Sequence, residues 1–172
     1  GGSQGALALN EAVPRALALM PEAERPEVRH QAGRTLAEAQ AAYRAAGVED
    51  ATIEFIADMA DAYRWADLVI ARAGAISLAE IAAVGRGAIL VPLPTAVDDH
   101  QRKNAEFFAA AGAAVVVPQA ELEPRRLAAE IVTIFADGDT AREMGRRART
   151  LARLDAAERL ADACLELAGG NR

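Results

Sequence analysis

The sequence has little of several features that mark particular classes of protein. Cys164 is the only cysteine, which excludes an intrachain disulfide and a metal site made of four cysteines, and which fits a reducing compartment. Aromatic residues make up only 4% of the chain, and no basic stripe interleaved with aromatic residues is present. Together with a net charge of −6, this composition argues against a nucleic-acid partner.

Long apolar runs are missing as well. We find no signal peptide and no uninterrupted apolar segment of the length that spans a bilayer, so we expect a soluble protein of the cytoplasm. What the chain does contain is typical of a globular protein, with 52% hydrophobic and 26% charged residues. Its 172 residues suffice for one domain with a substantial core, which we assign to residues 1–172.

Short apolar segments alternate with helical patterns along most of the chain. The apolar segments predict strands at 27–31, 52–56, 67–71, 88–92 and 113–117. The other segments predict helices at 6–20, 35–46, 58–65, 77–84, 99–111, 124–135, 140–151 and 156–168. This order predicts an α/β fold, with a Rossmann-like parallel sheet covered by helices on both faces. Ligands of such sheets bind beyond the carboxyl ends of the strands.

The chain opens with a glycine-rich segment, GGSQG at 1–5, that leads directly into a helix. Such a loop normally follows a strand, so we expect a first strand to be missing, which would leave a gap in the centre of the sheet. A dinucleotide site of the Rossmann kind would also place an acidic residue at the end of the next strand. That strand ends in His30 and Gln31, which makes a dehydrogenase the weaker interpretation.

The junction at 72–80, with the sequence RAGAISLAE, is the most informative stretch. A buried strand is predicted before it and a helix after it, and the first amides of a helix form a natural anion site. Gly74 lets the backbone come close to a ligand. Arg72 could bind two oxygens of a diphosphate or could form a surface salt bridge, and the sequence does not decide between these roles.

Ser77 and Glu80 have the spacing of a capping box. In that motif Ser77 covers an amide of the first turn and Glu80 reaches back to the cap backbone. The functional alternative directs the Glu80 carboxylate at a ribose, because a group that only accepts can take the hydrogens of two hydroxyls. Spacing alone favours the cap.

A second polar cluster lies at the start of the helix predicted at 99–111. The segment DDHQ at 98–101 and Asn104, one turn after Gln101, carry side chains that donate and accept hydrogen bonds, as sugar hydroxyls require. The alternative is a helix cap made by Asp98 or Asp99, with the other side chains in solvent. The residues by themselves favour the cap.

No metal site is predicted. The adjacent residues 98–100 rarely converge on one zinc ion, and His30 is the only other histidine. Asp137 and Asp139 resemble the metal-binding Asp-x-Asp of some sugar transferases, but they lie between two late helices, so we interpret them as a turn and a helix cap. His30 has the chemistry of a general base, although a lone histidine at a strand end is more often structural.

Seven segments, in this order, resemble the MurG family of bacterial glycosyltransferases, which belongs to glycosyltransferase family 28 and has the two-domain GT-B fold. They are GGSQGA at 1–6, HQAG at 30–33, FIADM at 55–59, ADLVI at 66–70, RAGA at 72–75, EIAA at 80–83, and DDHQ at 98–101 with NA at 104–105. Each is weak alone, whereas the ordered set is specific and covers nearly the whole chain.

The resemblance implies that the chain is the C-terminal, donor-binding half of a GT-B enzyme. The family transfers N-acetylglucosamine from UDP-GlcNAc to lipid I with inversion, which gives lipid II for peptidoglycan, and it requires no cofactor. The acceptor site, the general base and the contact with the cytoplasmic face of the inner membrane belong to the N-terminal half. The catalytic residue is therefore unknown here, and this half alone is expected to be inactive. Residues 153–172 are expected to form a terminal helix that packs on the N-terminal half.

The resemblance also implies binding roles for single residues. Ile56 would present backbone groups to uracil, Glu80 would bind the ribose, and Arg72 would lie beside the nucleotide. Gln101 and Asn104 would recognise GlcNAc hydroxyls. Ser3 and the amides at the helix start would hold the diphosphate, within an expected set of Ser3, Gln4, Gly5, Gly74, Ala75, Ile76 and Ser77.

Two other interpretations stay open. The chain could come from another GT-B enzyme, such as a lipid glycosyltransferase or a UDP-GlcNAc epimerase. It could instead be a donor-binding module or subunit that is not catalytic by itself and works with a separate partner.

Overall fold

A computed structural model of the chain describes residues 6–94 and 99–169. The strands within these ranges are β1 (His30–Gln31), β2 (Thr52–Ile53), β3 (Leu68–Ala71), β4 (Gly87–Leu90) and β5 (Ala114–Val116). The α-helices are α1 (Leu7–Ala18), α2 (Leu36–Ala46), α3 (Met59–Trp65), α4 (Ala75–Val84), α5 (His100–Ala110), α6 (Pro124–Phe135), α7 (Thr140–Thr150) and α8 (Ala156–Gly169). The predicted alternation of strands and helices is confirmed.

The strands form two parallel sheets. In the smaller sheet β1 pairs with β2, so that His30 lies beside Thr52. In the larger sheet β4 is the central strand, between β3 and β5. Both β1 and β2 are shorter than predicted. Among the described residues each strand pairs only with the other, and this pairing extends over two residues of each strand.

The core lies on both faces of the larger sheet. All four residues of β4 are buried, and their side chains alternate between the two faces, as those of any strand do. Ile89 packs in a cluster with residues of α1 and α6, whereas Leu90 packs in a cluster with residues of α4 and α5. The predicted arrangement, a parallel sheet with helices on both faces, is confirmed.

A cavity of about 890 Å³ separates the two sheets. Residues of β1 and β3 line it, and so do apolar residues of α1 such as Leu9 and Val13. Strand β3 is only half-buried along its whole length, although its sequence, LVIA, is as apolar as that of β4. The division of the sheet agrees with the predicted gap at its centre. No helix in the described ranges combines the length and the apolar character needed to cross a membrane.

Candidate functional site

The first turn of α4 is an open helix start. Strand β3 ends at Ala71, and α4 begins at Ala75 with Gly74 in the N-cap position and no side chain capping it. The helix therefore begins two residues earlier than predicted, because Ala75 and Ile76 take helical conformations as readily as the residues after them. The capping-box interpretation of Ser77 is wrong, since Ser77 is the third residue of the helix. The amides of this turn remain available to an anion.

Gly74 has no structural need to be glycine within the protein. Its backbone is extended, with φ −69° and ψ 142°, which any residue can adopt. A Cβ built at Gly74 would meet nothing within 4 Å. The space beside the helix start is thus open, and a side chain there would project into it. Close approach of a ligand remains a physical reason for glycine at this position.

Arg72 extends along the carboxyl ends of the larger sheet. Its Nη1 donates to the carbonyl oxygen of Val91 at 3.1 Å, and its Nη2 donates to Oε1 of Gln119 at 2.6 Å. Burial lowers the pKa of Arg72, and a guanidinium still keeps its charge. The predicted alternative, a surface salt bridge, is wrong, because all acceptors of Arg72 within the described ranges are neutral. A half-buried positive charge, with no acidic partner in the part of the chain that the structure describes, thus lies close in sequence to the start of α4.

Glu80 is held by a tyrosine of α3. The hydroxyl of Tyr63 donates to Oε2 of Glu80 at 3.1 Å, and Tyr63 is only 8% exposed. Burial, followed by the charge of Glu80, raises the pKa of Tyr63, so that the phenol stays protonated and remains a donor. The interpretation of Glu80 as a helix cap is therefore wrong. The carboxylate lies on the second turn of α4, with one oxygen bonded and acceptor capacity left over.

The loop after β2 is fastened to the loop after β1. The backbone N–H of Ile56 donates to Oε1 of Gln31 at 3.0 Å. Two backbone bonds support this contact, from Ala32 N–H to the Ile53 carbonyl at 2.8 Å and from Gly33 N–H to the Glu54 carbonyl at 3.0 Å. Ile56 is half-buried. Its position thus depends on Gln31.

The cavity between the sheets collects four of the predicted site residues, Ile56, Arg72, Ser77 and Glu80. Gly74, Ala75 and Ile76 do not line it; they form the helix start, where Ala75 and Ile76 are exposed. The loop after β2 and the β3–α4 region thus bring Ile56, the Arg72 guanidinium and the Glu80 carboxylate to the walls of one cavity, which other charged residues such as Arg29 and Asp67 also line.

Gln101 and Asn104, both on α5, contact the loops at the ends of the strands. Oε1 of Gln101 accepts from the backbone N–H of Leu93 at 3.1 Å. Nδ2 of Asn104 donates to the carbonyl oxygen of Ala73 at 3.1 Å, which places Asn104 next to Gly74. Each amide side chain therefore keeps unused hydrogen-bonding groups beside the start of α4 or the end of β4.

The predicted cap by Asp99 at α5 is wrong, whereas the turn and helix cap predicted at 137–139 before α7 are confirmed. Asp99 occupies the N-cap position of α5 with a left-handed φ of 56°, but its side chain makes no capping bond and pairs with Arg102 instead. At α7 it is Asp137 whose Oδ1 accepts from Thr140 N–H at 2.9 Å. Asp139 takes the N-cap position there without a capping bond. Ser3, Gln4, Gly5 and Asp98 lie outside the described residues.

His30 belongs to a polar network beneath the smaller sheet. Its Nε2 donates to Oδ1 of the buried Asn10 at 2.9 Å, and its Nδ1 accepts from the Tyr43 hydroxyl at 3.2 Å. Burial lowers the pKa of His30 to about 4, so the ring is neutral at pH 7. The structural interpretation of His30 is confirmed. Over the described ranges, no group of three or more His, Cys, Asp or Glu residues is placed to hold a metal ion.

Sequence reasoning missed two residues of the site, Tyr63 and Gln119. Tyr63 carried a weak signal, because it is one of only two tyrosines and lies in a short helix close to the predicted ligand edge. Gln119 carried none, since it meets Arg72 from 47 residues away.

Similarity to known proteins is extensive. A sequence model of the glycosyltransferase family 28 C-terminal domain matches residues 1–160. The chain is 56% identical, over 171 residues, to a UDP-N-acetylglucosamine–N-acetylmuramyl-(pentapeptide) pyrophosphoryl-undecaprenol N-acetylglucosamine transferase from Nitrosococcus oceani, covering 99% of this chain and 48% of that protein. It is 58% identical, over 167 residues, to the transferase of the same name from Alkalilimnicola ehrlichii. That match covers 96% of this chain and 47% of the other protein.

A solved structure is also similar. The crystal structure of MurG from Acinetobacter baumannii superimposes with a TM-score of 0.83 and 41% sequence identity, covering 95% of this chain and 47% of that one. The chain spans about half the length of the relatives that it matches. Because the sequence match and the structural similarity agree, we conclude that the chain belongs to the glycosyltransferase family 28 C-terminal domain family.

Proposed function

We propose that this chain is the donor-binding half of an inverting glycosyltransferase that transfers GlcNAc from UDP-GlcNAc to lipid I and so forms lipid II in peptidoglycan biosynthesis. The names of its relatives support this reaction over a different lipid glycosyltransferase or an epimerase, since those relatives are named as N-acetylglucosamine transferases. Because the chain spans about half of them, the acceptor site and the general base are assigned to the other half.

One observation carries the proposal: the uncapped start of α4 lies between Arg72 and Glu80. The open amides and the guanidinium favour a diphosphate. The carboxylate favours a ribose diol. A nucleoside diphosphate is the ligand that carries both groups at neighbouring positions.

The uracil and the GlcNAc of the donor are bound by residues outside α4. Ile56 presents its backbone to the base from the loop after β2, where Gln31 fixes its position. Gln101 and Asn104 meet the GlcNAc hydroxyls from α5, next to the loops that they already hold. Ser3, Gln4 and Gly5 complete the diphosphate site in this proposal.

The protein's contribution to the reaction is electrostatic. When a lipid I hydroxyl attacks the anomeric carbon, UDP leaves and negative charge grows on the diphosphate. The amides of Ala75, Ile76 and Ser77 and the guanidinium of Arg72 stabilise that charge, because they are already oriented before the bond breaks. No metal or other cofactor is part of this proposal.

The C-terminal segment, 153–172, is proposed to pack on the other half of the enzyme. Leu154 is 67% exposed, and on α8 Leu160 is 67% and Leu165 70% exposed. Three exposed leucines along one segment are typical of a surface that packs against another protein surface. In this proposal the assembled enzyme works at the cytoplasmic face of the inner membrane and contacts the membrane through the other half.

Calorimetric titration of the 172-residue chain with UDP-GlcNAc, in buffer containing EDTA, tests the proposal. We expect binding without a metal, and about a tenfold or greater loss of affinity in Glu80→Ala, since hydrogen bonds to a charged group contribute about 1.5–3 kcal/mol. Glu38→Ala is the matched control, because Glu38 is an exposed glutamate of α2 that does not line the cavity. A parent chain that binds neither UDP-GlcNAc nor UDP would contradict the proposal.

A further inference from the structure

We infer that Tyr63 is a positioning residue for the nucleotide, whose hydroxyl orients the Glu80 carboxylate toward the ribose and thereby sets the preference for ribose over 2′-deoxyribose. This inference rests on the proposed function, because it takes Glu80 as the group that binds the ribose.

The contact joins two elements that wall the same cavity. Tyr63 comes from α3 and Glu80 from α4, their side chains meet at 3.1 Å through the tyrosine hydroxyl and Oε2, and both residues line the cavity. Tyr63 is 8% exposed and packs in the apolar cluster that contains Leu78 and Ile81 of α4. A phenol held in this way has little freedom to direct its hydroxyl elsewhere.

The backbone of Tyr63 is fixed to the same part of the protein. Nε of Arg86, just beyond the end of α4, donates to the Tyr63 carbonyl at 2.9 Å. Asp58 caps the start of α3 by accepting from Asp61 N–H at 2.8 Å. Arg86 also donates from Nη2 to the Arg64 carbonyl at 2.5 Å. Because the C-terminal end of α3 is thus held beside the end of α4, the tyrosine and the glutamate keep their relative positions when the cavity is empty.

The chemistry of a carboxylate explains why this contact matters. A glutamate side chain has several rotatable bonds, so ordering it on binding costs conformational entropy. The Tyr63 bond orders Glu80 before the ligand arrives and occupies part of Oε2. Oε1 and the remaining lone pairs are then free to accept from the two ribose hydroxyls. A 2′-deoxyribose offers one hydroxyl fewer, so it benefits less from an oriented carboxylate.

The test compares UDP with 2′-deoxy-UDP by calorimetry on the parent chain and on Tyr63→Phe. Phenylalanine keeps the ring and removes only the hydroxyl. We expect the affinity for UDP to fall about 3- to 10-fold and that for 2′-deoxy-UDP to change less, since one hydrogen bond contributes about 0.5–1.5 kcal/mol. In Glu80→Ala, the further change Tyr63→Phe is expected to have no effect on the ratio of the two affinities.

Tyr43→Phe is the matched control. Tyr43 is the other tyrosine of the chain, is fully buried and gives its hydroxyl to His30. Its loss is expected to reduce stability while the preference for UDP over 2′-deoxy-UDP stays that of the parent. In that variant Tyr63 is the only tyrosine left. The fluorine NMR signal of incorporated 3-fluorotyrosine should therefore report on Tyr63 alone, and should shift more with UDP than with 2′-deoxy-UDP.

The outcomes separate this inference from the proposed function. A parent chain that binds no UDP contradicts both. A parent that prefers UDP, together with a Tyr63→Phe variant of unchanged preference, overturns the inference and leaves the proposed function standing. The fluorine signal provides a second test that keeps the Tyr63 hydroxyl in place, because equal shifts with both nucleotides would also overturn the inference.

Discussion

The two sheets on either side of the cavity are stabilised by different forces. The larger sheet is held by apolar packing, with Ile89 and Leu90 of its central strand completely buried. The smaller sheet lies on a polar network in which Asn10, His30 and Tyr43 are linked by hydrogen bonds. Apolar burial does not depend on pH, whereas a buried histidine network does.

This difference divides the proposed donor site. The groups for the diphosphate and the ribose, Arg72 and Glu80, come from the β3–α4 region, which is anchored on the larger sheet. The loop for the base, at Ile56, is held by Gln31 of the smaller sheet. We therefore expect conditions that weaken the smaller sheet to affect recognition of the base before they affect the phosphate end.

The largest effect is expected from the core of the larger sheet. Ile89→Ala should lower the free energy of unfolding by about 2–5 kcal/mol, because it removes a fully buried side chain and leaves a cavity. Ile70→Ala is the matched variant on β3, where the side chain is only half-buried beside the existing cavity. Denaturant unfolding should show a clearly smaller loss for Ile70→Ala. Equal losses would mean that the two strands are buried alike and would contradict the contrast.

The next effect distinguishes the two sheets by the pH dependence of their contribution to stability. The pKa of His30 is about 4 in the fold, below its model-peptide value of 6.5, so the unfolded chain binds the proton more tightly. Stability is then fully present above pH 6.5 and is lost as the pH falls from about 6.5 to about 4, by up to about 3 kcal/mol. Denaturant unfolding at steps between pH 7.5 and 4.5 measures this slope.

His30→Gln is expected to flatten that slope, whatever its effect on stability at pH 7.5. The comparison is His100→Gln, which replaces the other histidine of the chain; a slope that flattens equally in that variant would contradict the assignment of the pH dependence to His30. Carboxylates with lowered pKa values, such as Asp137 and Glu143, act in the same direction at lower pH, which is why the series stops at 4.5. A parent chain with equal stability at pH 7.5 and 4.5 would rule out the role assigned to the network.

These two contrasts were only partly visible in the sequence. Apolar runs rich in Val and Ile predicted β3 and β4 correctly, because periodicity and composition are local properties. The gap between the sheets was also expected, since GGSQG at 1–5 normally follows a strand. That His30 would be joined to Asn10 and Tyr43 was not predictable, because this contact depends on how α1 and α2 pack.

At the candidate site, too, only the features set by local sequence were predictable. Arg72, Gly74 and Glu80 stood out because a strand, a glycine and a helix follow one another in sequence. The start of α4 was placed two residues too late, since Ala75 and Ile76 carry no boundary signal and Ser77 imitates a cap. The partners of Glu80 and Arg72 lie 17 and 47 residues away. Only the tertiary fold identifies them.

A third prediction concerns the phosphate end. Arg72→Met should lower the affinity for UDP about 10- to 100-fold, because it removes a half-buried charge that has no acidic partner within the described ranges. The affinity for uridine, which lacks phosphate, should fall much less. Arg125→Met on α6 is the matched control, since Arg125 is exposed and does not line the cavity. Equal losses for UDP and uridine would show that Arg72 supports the fold of the site and does not act on the diphosphate.

The smallest effect is expected at the base end, where Gln31 holds the Ile56 amide by one hydrogen bond of 3.0 Å. Gln31→Leu keeps the size of the side chain and removes the acceptor, so exchange of the Ile56 amide hydrogen should accelerate about fivefold, in line with about 1 kcal/mol for one bond. Uridine should bind more weakly by a similar factor. Gln101→Leu removes an equivalent bond, to Leu93 at 3.1 Å, and should accelerate exchange at Leu93 but not at Ile56. If Gln31→Leu leaves exchange at Ile56 unchanged, the Gln31 bond does not hold the base loop, and the role assigned to Gln31 at the base end of the donor site is wrong.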